Sequence, residues 1–259
     1  MTEYQYCKAE RDGRLLVVTI NRPEVMNAIH PPASFELERV FDDFAADPDL
    51  WVAIVTGAGD RAFSAGNDLK YQAAGNDMAR PKTFFGGLTA RFDLAKPVIA
   101  AVNGVAMGGG FELALASDLI VASERAVFAL PEPRVGLAAL AGGLARLPRI
   151  IGQKRAMGMI LTARRVGAEE GRELGFVNEV VPHAELMAAA RRWADQILEC
   201  SPMSIRASKE VFYRAADAPD LETAIAGDYP AVHAMRASED FVEGPLAFAE
   251  KRAPQWKGR

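Results

Sequence analysis

Three glycines and two glutamates carry the clearest chemistry in this chain. Gly108, Gly109 and Gly110 are consecutive, Glu112 stands two residues after the last of them, and Glu132 follows twenty positions later. Consecutive glycines strip side chains from a stretch of backbone, so a ligand can reach the peptide N–H groups directly. Residues 97–102 read as an apolar strand before them, and 111–116 as the start of a helix. Donors at a strand-to-helix turn gain the positive end of the helix dipole, which suits an oxyanion developing during a reaction. Taken alone, the triplet serves equally as a tight turn and Glu112 as a solvated first-turn carboxylate. A second segment shifts that balance: Phe63-Ser64-Ala65-Gly66-Asn67-Asp68 also follows an apolar strand, at 51–56, and also holds a glycine turn. Two such turns can face each other across one cleft.

With these residues go Asn21-Arg22-Pro23, Asn27-Ala28, Asn103-Gly104 and Pro131-Glu132. In order and spacing they resemble the crotonase, or enoyl-CoA hydratase, superfamily from about residue 15 to 180. The tail from 238 to 259, with Glu243-Gly244-Pro245, Lys251-Arg252 and Trp256-Lys257, looks like that of its carnitinyl-CoA dehydratase branch. The resemblance implies an α/β fold, a crotonase-type spiral of ββα units over 1–199. Residues 200–259 would form a C-terminal helical region used in trimer formation, giving a homotrimer or a dimer of trimers.

The same resemblance makes the backbone N–H groups of Asn67 and Gly109 the oxyanion donors. Glu112 and Glu132 occupy the positions of the hydratases' two glutamates. Retaining both favours a hydro-lyase that reversibly adds water to an α,β-unsaturated acyl-CoA thioester, with Glu112 on the water and Glu132 on the carbon. An isomerase, a decarboxylase, a thioester hydrolase or a noncatalytic binding role on this fold stays open. Backbone around Val25, Asn27 and Ala28, and around Ala65, Gly66, Asp68, Leu69 and Lys70, is implied to hold the coenzyme. Phe248 and Lys251 would reach a neighbouring subunit's coenzyme, although Lys251-Arg252 reads equally as a charged helix end. No permanently bound cofactor is implied; coenzyme A enters as part of the substrate. A glycine-only dihedral is expected at Gly109. Ala139-Leu140 stand where hydratases commonly carry Pro-Gly, so Leu140 adds bulk near the expected acyl cavity, and Arg134 reads as solvated or as a contact to a charged acyl group.

The whole chain is consistent with such a catalyst. Its 259 residues are half hydrophobic and a quarter charged, with a net charge of −4, which supports neither nucleic-acid binding nor an anionic membrane partner. Cys7 and Cys200 are far apart and only three histidines occur, so no metal site is expected and a reducing, cytoplasmic setting is. The N-terminus lacks the regions of a signal peptide, and no apolar run approaches the roughly 20 residues of a membrane helix.

Gly57-Ala58-Gly59-Asp60-Arg61-Ala62 matches a dinucleotide-loop pattern but is followed by turn-like sequence rather than a helix. Ser64 lacks the Gly-x-Ser-x-Gly elbow of a hydrolase. His30, His183 and His233 have no placed acidic partner and read as surface or cap residues.

The elements that must position these groups follow from periodicity. Strands are expected over 14–20, 51–56, 98–102, 118–122 and 177–181, with a helix over 34–46. Helices are expected over 183–200, 202–216 and 221–236 and from 239 onward. Residues 70–96 fit no pattern and hold Phe84, Phe85 and Phe92, read more as core than as ligand-facing; a long irregular segment is where a pocket is often built.

Overall fold

The computed structural model describes residues 4–259; residues 1–3, where the reading of the N-terminus begins, lie outside it. The chain opens with a hairpin of β1 (Cys7–Asp12) and β2 (Leu15–Ile20), followed by α1 (Pro31–Ala46). Three similar turns of chain come next. The first is β3 (Val52–Gly57), β4 (Ala62–Ser64) and α2 (Leu69–Ala73). The second is β5 (Val98–Val102), β6 (Val105–Met107) and α3 (Gly109–Ala116). The third is β7 (Leu119–Ser123) and β8 (Val127–Ala129), a 3-10 turn at Glu132–Val135, then α4 (Gly143–Ile151) and α5 (Gln153–Thr162). The core closes with β9 (Val166–Gly167), α6 (Ala168–Leu174), β10 (Glu179–Val181) and α7 (Leu186–Leu198). Last come α8 (Pro202–Ala215), α9 (Leu221–Ile225), α10 (Pro230–Arg236) and α11 (Glu239–Glu250).

Each turn leaves one strand in each of two sheets and then a helix. The larger sheet runs β1-β2-β3-β5-β7-β10 and the smaller β4-β6-β8-β9. All pairings are parallel except β1 with β2 and β8 with β9. Both sheets advance one strand per turn, which is the ββα spiral implied by the sequence.

Strand composition explains the layering. β3, apolar but for Thr56, and β5, apolar throughout, are fully buried, as strands covered on both faces must be. Alternate residues part to opposite sides. Leu16, Val18, Ala53, Val55, Ala100 and Val102 pack toward Leu37 and Phe41 of α1 and Phe111 of α3. Val17, Val52, Ile54, Ile99, Ala101 and Val121 pack against Ala189, Ala190 and Ala194 of α7. The C-terminal helices are pinned to this core by Lys209, whose Nζ donates to Asp118 at 2.8 Å and to the Lys96 carbonyl at 2.9 Å.

Strand 98–102 stands as expected, and the other long elements differ by a few residues at their ends. The expected helix over 221–236 is broken into α9 and α10. Gly227 lies in the break, and Pro230, which lacks an N–H, is placed in the first turn of the new helix, where none is needed. Among the described residues no helix is long and apolar enough to cross a membrane, and no cluster of three metal-ligating side chains is placed to hold an ion.

Candidate active site

β4, β6 and β8 lie side by side and parallel, so their carboxyl ends reach one edge of the smaller sheet. Beyond the carboxyl ends of parallel strands is where α/β folds place ligands. Each strand delivers one segment there: 65–68, 108–112 and 130–132. Ile29 forms a parallel bridge with Asn67, its N–H donating to the Gly66 carbonyl at 2.8 Å and its carbonyl accepting from Asp68 N–H at 3.2 Å. With Gly66 and Asp68 turned toward Ile29, the N–H of Asn67 turns the other way. Gly66 has φ +89°, and a β-carbon there would lie 2.5 Å from the Met107 carbonyl oxygen and 3.0 Å from the Gly109 nitrogen. The two glycine turns therefore meet.

The three consecutive glycines answer to three different demands. Gly108 takes φ +52°, and a β-carbon on it would meet Glu132 Oε1 at 2.9 Å. Gly109 opens α3 with an ordinary φ, so the glycine-only dihedral expected there belongs to Gly108 instead. What Gly109 needs is room, because the Phe85 ring stands 2.6 Å from where its β-carbon would be. Gly110 lies hard against the Ser64 carbonyl. The amides of a helix's first turn have no partner within the helix. Among the described residues, neither Gly109 N–H nor Asn67 N–H has an acceptor within the chain.

Both glutamates reach this turn. Glu112, on the first turns of α3, is 3% exposed, and its Oε1 accepts from the Gly143 N–H at 2.8 Å. Burial pushes its carboxyl up to about 7; the Gly143 N–H and the Arg146 guanidinium oppose the rise, and the charge of Glu132 adds to it. Glu132 opens the 3-10 turn after β8, and burial raises its pKa too. Its Oε2 is buried without a partner among the described residues, which leaves that oxygen able to exchange a proton.

The enoyl-CoA hydratase/isomerase family model matches residues 10–259. The chain belongs to this family. It is 49% identical, over 96% of its length and 97% of the relative's, to the carnitinyl-CoA dehydratase of Escherichia coli (strain K12). Among solved structures, an enoyl-CoA hydratase of Mycobacterium tuberculosis H37Rv superposes with a TM-score of 0.92 at 38% identity, covering 98% of this chain and 99% of that one. EchA1, an enoyl-CoA hydratase of Mycobacterium marinum, does so with 0.92 at 39%, with the same coverage.

In this member of the enoyl-CoA hydratase/isomerase family, the residues expected to hold the coenzyme fall into two groups. Val25, Asn27 and Ala28 lie on the loop from β2 to α1, and Ala65, Gly66, Asp68, Leu69 and Lys70 on the step from β4 into α2. The Ile29–Asn67 bridge brings those loops together. Asn27 is buried and its side chain bonds to Arg22 N–H and to the Ala58 and Ala62 carbonyls, so it braces the loop. Phe248 and Lys251 sit apart, at the end of α11, with Phe248 87% exposed.

Sequence reasoning missed three neighbours of the acids and donors. Phe84 holds φ +67°, ψ −135°, a strained setting for a bulky residue, and the turn it makes lays Phe85 over Gly109. Phe85 packs against the core, as expected, while its ring also meets Gly109; Phe92, exposed, departs from that expectation. Gly143 N–H and Arg146 both belong to the first turns of α4; Arg146 Nη2 donates to the Thr89 carbonyl at 2.9 Å. Leu140 is largely exposed and Arg134 reaches only the Thr162 carbonyl, in keeping with a solvated arginine. Of the histidines, His30 caps α1, His183 meets Ser123, and exposed His233 does have an acidic partner, Asp228.

Proposed function

We propose that this protein catalyses the reversible addition of water to an α,β-unsaturated acyl-CoA thioester. It is a hydratase-type hydro-lyase, the reaction type supported by its dehydratase relative and hydratase structural neighbours within a hydratase/isomerase family. The residue roles are our assignment, carried by one observation: buried Glu112 and half-buried Glu132, whose Oε2 is enclosed without a partner among the described residues, both with raised pKa, converge on the helix-opening turn where the Gly109 N–H has no acceptor.

The thioester oxygen accepts from the Asn67 and Gly109 N–H groups, each such donor contributing about 3–4 kcal/mol to the barrier reduction. In dehydration, Glu132 takes the α-proton through its free Oε2 and the electron pair moves into the carbonyl, held as an enolate. The pair then returns to form the double bond as the β-hydroxyl leaves, protonated by Glu112. Hydration runs the same steps backward. A carboxyl near pKa 7 can be found in either form at neutral pH, as a group serving both directions requires.

Backbone at 25–28 and 65–70 holds the coenzyme portion of the substrate. Residues 1–199 act as the catalytic core. Residues 200–259 assemble a homotrimer or dimer of trimers, for which the exposed Phe241, Val242, Leu246 and Phe248 supply apolar contact, and Phe248 and Lys251 reach a neighbour's coenzyme. The free thiols Cys7 and Cys200 fit a cytoplasmic setting.

A panel of enoyl- and β-hydroxyacyl-CoA thioesters, headed by carnitinyl-CoA, tests this by absorbance with mass analysis. Gain or loss of 18 Da, about one water, is expected. A shifted double bond, lost carbon dioxide, free coenzyme A, or binding without turnover would each replace this reading with another.

A further inference from the structure

An oxyanion donor must keep its direction, yet Asn67 lies in a loop between β4 and α2. Among the described residues its strand-like support is the bridge to Ile29, with the Ala65 N–H donating to the Met26 carbonyl at 2.9 Å beside it. That support is itself a loop residue, reached through Met26 and Asn27, two non-glycine residues at φ +57° and +55°. Neither side of the bridge is stiffened by a sheet.

A buried ion pair spans it instead. Arg22 Nη1 donates to the Ala28 carbonyl at 2.5 Å and to Asp68 Oδ2 at 3.0 Å. The two side chains are 13% and 9% exposed. One nitrogen therefore ties the residue before Ile29 to the residue after Asn67, closing a ring around the Asn67 peptide. The other carboxylate oxygen, Oδ1, accepts the Tyr71 N–H at 3.1 Å and caps α2. Burial acts to raise the Asp68 pKa but is outweighed by the Tyr71 N–H and Arg22, so the carboxylate stays ionised. His30 edges onto Tyr6 and Tyr71, with ring centroids 4.5 and 5.1 Å away, packing the outer side of the ring.

We propose that the Arg22–Asp68 pair is a positioning device that aims the Asn67 N–H at the thioester oxygen. This rests on Asn67 being an oxyanion donor. Arg22 acts through the Asn67 peptide and makes no contact with the reacting atoms. Removing its charge strands a buried carboxylate and loosens the bridge, and displacement of a donor by about 1 Å is enough to cost about 100-fold in rate.

Carbonyl polarisation can be read directly. An amino-substituted cinnamoyl-CoA absorbs at longer wavelength as its thioester oxygen is drawn into hydrogen bonds. At saturating protein, wild type is expected to red-shift this probe. Arg22→Met should lose half or more of the shift and about 10–100-fold in kcat, with KM changed far less. Because both bonds leave one nitrogen, Arg22→Lys should restore most of the shift. Arg11→Met, which breaks the exposed pair with Asp47, should leave it whole. A folded Arg22→Met with the full shift overturns the proposal. Should Arg22→Met fail to fold, Asp68→Asn decides: it keeps the α2 cap but not the charge, and a full shift in it overturns the proposal equally. Absence of any shift in wild type would instead remove the oxyanion reading, and this inference with it.

Discussion

Glu112→Gln should make the protein more stable while stopping it from working. An ordinary glutamate titrates at 4.5, whereas burial carries Glu112 to about 7. At about 1.36 kcal/mol per pH unit, holding it ionised in the folded state costs about 3 kcal/mol. Since the folded pKa is the higher one, the folded state binds more protons between those values. The group's favourable contribution is whole below about 4.5 and is lost as pH rises through about 7. Glutamine cannot ionise, and its amide oxygen can still accept the Gly143 N–H. The variant should therefore melt about 6–12 °C above wild type at pH 8, but only about 2–4 °C above it at pH 5. Turnover should fall about 100–10,000-fold across the range. Circular-dichroism melts at one protein concentration over pH 5–8, with parallel rate measurements, check both. A gap in melting temperature that does not widen with pH would show that Glu112 is not held uncharged by its surroundings.

Two further outcomes follow from the same turn. Gly109→Ala should lower kcat more than it weakens binding, because the new methyl displaces Phe85, and adding Phe85→Leu should recover part of the loss; Gly109→Pro deletes the N–H and should abolish turnover in a folded protein. Steady-state kinetics decide, and wild-type kcat in folded Gly109→Pro would exclude this donor. In the hydration direction, where Glu112 acts as the base, Arg146→Met should move the acidic limb of the kcat/KM profile upward by about 0.5–1 pH unit, since the guanidinium opposes the rise in the Glu112 pKa, while Arg134→Met should leave it in place. An unmoved limb in Arg146→Met would mean that the two charges do not communicate.

The parts of the fold legible in the sequence were those whose burial writes a pattern. β5 is apolar on both faces and was found to the residue; α1 carries Leu37, Val40, Phe41 and Phe44 on one side and was found within a few residues. β4, β6, β8 and β9 have only three or two residues each, too few to show an alternation, and β1 is mostly polar at a sheet edge. α4 and α5 escape the reading because Pro148 within the first and Gly158 within the second read as helix breakers, although α4 is strongly amphipathic. In the candidate site, the glycines and glutamates announce themselves by type and spacing. The Gly143 N–H on Glu112, the Phe85 ring on Gly109 and the Arg22–Asp68 pair do not, because each joins distant segments that only the closed spiral brings together.

The two amides proposed as oxyanion donors have a genetic consequence. A peptide N–H is present whatever side chain its residue bears, so point mutation can crowd or tilt the anion cradle but can delete a donor only by installing proline. The proposed proton-transfer groups, by contrast, are two ordinary side chains on separate segments, α3 and the turn after β8, and either can be exchanged by a single codon change. The scaffold thus separates what is hard to lose from what is easy to alter. On the proposed mechanism, holding an enolate is inherited with the backbone, while the fate of that enolate is left to two positions open to replacement one at a time.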